Sequence, residues 1–217
     1  HNKKYYANQL IRYRYEDMMF LLNEISKTEL QGAVVNPYHA MINFDRIGMM
    51  GHSMGAGTSY HALINNKRIK SVVALDGWFF PLDQKTFSTK TNKPFLHLGQ
   101  EEFLDLSVGG DINDSEVGKI NFDIHNTILK NNSSSFVVYV KNSLHQDFTD
   151  FKQTYIQDRP FTFPISGLGD VSKNKIKNIM NKSIVEFFDY TLKEKTFDIA
   201  VLDKYKKSIE TNYDISK

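Results

Sequence analysis

The 217-residue sequence predicts an α/β fold, a mostly parallel sheet with helices on both faces. Three observations predict it. Short apolar runs of strand length alternate with longer stretches of helical periodicity. The run at 136–140, Phe-Val-Val-Tyr-Val, is continuously β-branched and aromatic, as in a strand buried on both faces. A Gly-x-Ser-x-Gly pentapeptide, 51–55, lies between one apolar run and one helical stretch.

In chain order, 5–26 carries Leu10, Tyr13, Met18, Leu21, Leu22 and Ile25 at spacings of three and four, which predicts an amphipathic helix. A loop through Gly32, Pro37 and His39 leads to an apolar run at 46–50, a buried strand. Tyr60, Leu63 and Ile64 give 56–66 a helical spacing, and Asn65-Asn66 supplies its stop. Apolar runs at 71–75 and 95–98 are the next two strands. A helix over 114–129 follows from Val117, Ile120, Ile124 and Ile128, with Asp114 or Ser115 as its cap. The last helix, 172–193, buries a face of Ile176, Ile179, Met180, Ile184, Phe187, Phe188 and Leu192. Pro160, Pro164, Gly167 and Gly169 make 158–171 the most loop-like stretch.

Composition narrows the function classes. With 41% hydrophobic residues the chain can bury one substantial core, so 1–217 reads as a single domain. Net charge is +2, from 27 basic and 25 acidic residues spread along the sequence, which argues against a nucleic-acid partner. There is no cysteine, so neither a disulfide framework nor a thiolate metal site can form, and the compartment stays open. The stretch 111–116 begins like a calcium loop, but its sixth position is Glu116 where a glycine is needed. No metal and no cofactor is called for.

Gly51-His52-Ser53-Met54-Gly55 is the strand-turn-helix pattern of a serine hydrolase's nucleophile elbow. Ser53 is then the nucleophile, and the backbone amide of Met54 one donor to the oxyanion. A serine hydroxyl needs a base, and the base needs an acid to hold its tautomer. His145 follows the strongest late strand, where chain order Ser, acid, His places the base. His52 is next to the nucleophile in a tight turn and is expected to point elsewhere, and His97 falls within a strand. For the acid, residue types leave Asp76, at the end of one strand, open against Glu101, Glu102 or Asp105 after the next. The aromatics Trp78 and Phe79 can line an acyl pocket or pack as core.

Three linked motifs carry a resemblance. Gly-His-Ser-Met-Gly at 51–55, Leu-Asp-Gly-Trp at 75–78 and Leu-His-Gln-Asp-Phe at 144–148 stand in the order and spacing of the plasma-type platelet-activating-factor acetylhydrolases. That family is the lipoprotein-associated phospholipase A2 group of the α/β-hydrolases. The resemblance, over about 40–155, implies a triad of Ser53, Asp76 and His145 and so favours Asp76 as the acid. It also implies hydrolysis of the short or oxidised sn-2 ester of a phospholipid, without cofactor or metal, on a phospholipid or small ester met at a lipid surface. Two other readings stand beside it: a broader cutinase-like or dienelactone-hydrolase-like carboxylesterase, which shares Gly-His-Ser-Met-Gly but usually takes its acid from the later strand, and a catalytically silent hydrolase-fold binding protein.

Only 52 residues precede Ser53, and they read as one helix and a loop. The early strands of such a sheet and its second oxyanion donor are therefore expected outside this stretch. The expectation is a C-terminal portion completed by an N-terminal half of the same fold.

Overall fold

A computed structural model describes residues 3–30, 34–103, 116–154 and 167–212. Helix α1 (Lys3–Ile25) leads into a two-stranded antiparallel pair, β1 (Glu29–Leu30) with β2 (Val34–Val35). Then follow β3 (Ile47–His52), α2 (Met54–Asn65), β4 (Ile69–Leu75), the short α3 (Gln84–Ser88) and β5 (Phe95–Gln100). The second half runs α4 (Glu116–Asn131), β6 (Ser135–Val140), α5 (Phe151–Thr154), α6 (Lys173–Lys193) and β7 (Ile209–Thr211). The cap expected at Asp114 or Ser115, the calcium-like stretch before Glu116, Asp105 and most of the 158–171 loop lie outside the described residues.

The main sheet has the order β3-β4-β5-β6-β7, parallel except for the last pair. Every residue of β5 is buried, which is why its sequence is largely apolar, with His97 and Gln100 as buried polar exceptions. Alternate residues of β4 serve opposite cores. Val72 and Ala74 join Tyr60 and Leu63 of α2, Ile124 and Ile128 of α4, and Ile11 and Leu22 of α1. Val73 and Leu75 join Ile176, Ile179 and Phe187 of α6. Right-handed crossovers between successive parallel neighbours put their helices on one face, as α2 and α4 show. Because β7 runs antiparallel to β6, the connection through α6 escapes that constraint and covers the other face.

The four predicted strands and four long helices all occur at or near their expected positions. The elements not anticipated include the β1–β2 pair, read as loop, together with α3, α5, the 3-10 helix Ile199–Tyr205 and β7. β7 has only three residues, and its pairing is supported by neighbours, with Lys141 N–H donating to Ser208 O at 2.9 Å. Among the described residues β3 has a strand partner only on its β4 side. Its Met50 is 51% exposed.

Candidate active site

Ser53 sits between β3 and α2 at φ 57°, ψ −123°, a conformation that L residues avoid. Such strain, of order 1–3 kcal/mol, persists only where surrounding bonds impose it. Two do so here. Ser53 N–H donates to Leu75 O at 2.9 Å, and Ser53 O accepts from Trp78 N–H at 3.0 Å, latching the turn to the end of β4. Gly51 makes the turn possible, since a Cβ there would lie 2.3 Å from the Gly55 backbone. Met54 opens α2, where the first amides have no intrahelical acceptor and the helix presents its positive end.

Asp76 follows β4 directly, 1% exposed and at φ 42°. Its N–H donates to Leu98 O at 2.7 Å, and its Oδ1 accepts from Gln100 N–H at 2.9 Å. Its Oδ2 accepts from His145 Nδ1 at 2.5 Å. The chain beyond Asp76 is pinned just as closely. Gly77 N–H donates to His97 Nε2 at 3.1 Å, and Asn121 Nδ2 donates to Gly77 O at 3.2 Å. Asn121 Oδ1 accepts from the amides of Phe79 and Phe80 at 2.5 and 3.0 Å. Because His97 Nε2 is an acceptor, its hydrogen is on Nδ1 and is donated to His125 Nε2 at 2.9 Å. Burial drives the pKa of His97 well below its ordinary value and that of His125 down to about 3, so both rings are neutral.

His145 opens a 3-10 turn, His145–Phe148, after the last parallel strand. With Nδ1–H given to Asp76, Nε2 is the nitrogen left to take a proton. His52 Nε2–H donates to the His145 carbonyl at 3.0 Å, and the two imidazoles lie 4.4 Å apart. Burial, then the nearby His145, lowers the His52 pKa. The Trp78 ring lies 6.0 Å from His145.

The structure thus brings the Asp76 carboxylate and His145 into direct contact beside the Ser53 turn. Two expectations need amendment. His52 does not point away: its ring faces His145. Phe79 does not line a pocket, being fully buried among Tyr60, Phe95, His97 and His125, whereas Trp78 is half-buried beside the imidazole. Glu101 is engaged elsewhere, accepting from Asn142 N–H at 3.2 Å, and the Glu102 side chain lies outside the described residues. His97 and Asn121 were missed as supports of the site. Both act on a backbone segment 20 to 44 residues away, and no local pattern reports that.

A strained serine between a parallel strand and a helix, with an Asp-His pair on later strand ends, belongs to the α/β-hydrolase fold. The fold is similar to that of a ferulic acid esterase from Streptomyces cinnamoneus, with a TM-score of 0.66 and 20% identity over 89% of this chain and 52% of that one. Residues 18–213 match the family model of platelet-activating factor acetylhydrolase, isoform II. The chain belongs to that family. Similar curated relatives are platelet-activating factor acetylhydrolases from chicken (Gallus gallus), 25% identical over 67% of this chain and 31% of the relative, and from dog (Canis lupus familiaris), 26% identical over 67% and 29%. A third, from cattle (Bos taurus), is 25% identical over 72% of this chain and 32% of its own length. The chain therefore spans about a third of the length of these relatives.

Proposed function

We propose that this chain carries the triad-bearing part of a serine ester hydrolase that removes the short or oxidised sn-2 acyl group of platelet-activating factor and related phospholipids. The observation that carries the reading is the 2.5 Å contact between His145 Nδ1 and a buried carboxylate, Asp76, beside a serine strained into an elbow. Family membership supports the substrate class.

In this reading His145 Nε2 takes the hydroxyl proton of Ser53 as the oxygen attacks the ester carbonyl. Asp76 fixes the tautomer and stabilises the imidazolium. The tetrahedral oxyanion is met by the amide of Met54 at the positive end of α2. Collapse releases the lysophospholipid, which takes the proton from His145. The acyl-enzyme on Ser53 is then hydrolysed by water that His145 activates. A second oxyanion donor belongs to an N-terminal half of the same fold. Asp76, and not a carboxylate after β5, is the acid, which favours this reading over the dienelactone-hydrolase-like one.

The test is made on the full-length protein with a fluorophosphonate probe and a series of phosphatidylcholines. Labelling at Ser53 is expected, absent in Ser53→Ala and reduced at least 100-fold in Asp76→Asn, with short and oxidised sn-2 chains cleaved ahead of long ones. Unimpaired labelling in Asp76→Asn would move the acid elsewhere. No labelling of the natural protein would leave a silent binding protein.

A further inference from the structure

The turn that carries His145 is closed from beneath by a buried ion pair that the reaction above does not use. Asp147 is 1% exposed, and both of its oxygens are engaged. Oδ2 accepts from the backbone N–H of Leu144 and of Gly169, each at 2.8 Å. Oδ1 accepts from Lys152 Nζ at 2.7 Å, and the same ammonium donates to Gly169 O at 2.7 Å. Lys152 is itself buried. Two backbone bonds run alongside, Gln146 N–H to Gly167 O at 2.8 Å and Val171 N–H to Asn142 O at 2.9 Å. Gly169 has no room for a side chain, since a Cβ would lie 2.3 Å from Asn142 O and 2.9 Å from Asp147 Oδ2.

A four-residue 3-10 turn has little internal rigidity, so its orientation must be set from outside. A buried ion pair is a poor device for stability alone, because desolvation of both ions offsets their attraction and apolar replacements often do as well. Its distinguishing property is direction. One oxygen takes two amides and the other takes the ammonium, so the carboxylate has a single position. That carboxylate stands two residues from an imidazole whose Nδ1 must remain 2.5 Å from Asp76.

We infer that Asp147 and Lys152 are positioning residues for His145. The ion pair sets the angle at which the turn presents the imidazole to Asp76 and Ser53, and it acts on kcat without touching substrate. The inference rests on His145 being the general base.

Its test uses three variants of the full-length protein: Lys152→Arg, Lys152→Met, and Asp147→Asn combined with Lys152→Met. The combined variant leaves no uncompensated buried charge, so it stays informative where Lys152→Met alone fails to fold. The readouts are kcat and KM on a short-chain ester, the rate of fluorophosphonate labelling, and the low-field proton resonance of the His145–Asp76 hydrogen bond. In the combined variant kcat and labelling are expected to fall at least fivefold with KM within twofold, and the resonance to shift or broaden. Lys152→Arg, which keeps the charge, should recover most of the rate. A folded combined variant with kcat within twofold of the natural protein and an unmoved resonance would overturn the inference, as would a combined variant that cannot fold. Natural protein that fails to label at Ser53 would instead strike at the hydrolase reading itself.

Discussion

Gly51 and Gly55 flank the same serine, and a sequence pattern weights them equally. The structure does not. A Cβ on Gly51 would meet the Gly55 backbone at 2.3 Å, and backbone cannot move aside as a flexible side chain can. A Cβ on Gly55 meets nothing within 4 Å. Gly51→Ala should therefore destabilise the fold by about 1–3 kcal/mol or more and misplace Ser53. Gly55→Ala, in the first turn of α2, should lose no stability and gain up to about 1 kcal/mol of helix propensity. Urea unfolding of the two variants checks this, and equal losses would contradict it. The turn at Ser53 was legible because strained backbone of this kind demands a particular pattern of neighbours. The placement of His52 against His145 was not, because the pairing joins residues 93 apart in sequence.

At the scale of elements, the segment between Asp76 and Phe80 has no regular structure of its own, yet its amides are bonded by the Ser53 and Leu98 carbonyls, by His97 and by Asn121. Asn121 alone satisfies two buried amides and one carbonyl from the middle of α4. Its replacement by alanine leaves those groups unpaired and should cost about 3 kcal/mol. Loss of activity should accompany it, since Asp76 and Trp78 share the segment. The same element carries a pH response. His97 and His125 are neutral when folded, and their pKa values return to the ordinary 6.5 when unfolded, so the unfolded chain binds more protons below that value. Stability is then full above about pH 6.5 and declines as pH falls toward 3. The thermal midpoint should drop between pH 7 and pH 5, and His125→Gln should flatten that slope. A slope unchanged by the substitution would assign it to other groups. The strands were legible because central parallel strands are buried on both faces and read as mostly apolar runs, continuous in β6 and broken in β5 only by the buried His97 before its Gly-Gln end. β7 and the 3-10 segments were not, since three to seven residues held by outside partners leave no period to read.

At the scale of the whole molecule, the two edges of the sheet differ among the described residues, β7 being three residues long and β3 six. β7 ends it beyond β6, while β3, the strand that delivers Ser53, offers a free edge among the described residues. Beside that edge α1 exposes a second apolar stripe of Leu10, Tyr13, Phe20 and Leu21, opposite the face that buries Ile11 and Leu22. An unpaired strand edge and an apolar helix face are surfaces that folded proteins cover. The matched relatives are about three times as long as the region they share with this chain. We therefore expect the rest of the fold to pair with β3 and to bring the second oxyanion donor to Ser53. One missing donor lowers the rate by about two to three orders of magnitude. Residues 1–217 expressed alone should label with a fluorophosphonate about 100-fold or more slowly than the full-length protein, while Asp76 and His145 keep their low-field proton resonance. Labelling of the short chain at the full-length rate would mean that both donors already lie within it, and that the open edge of β3 plays no part in the chemistry.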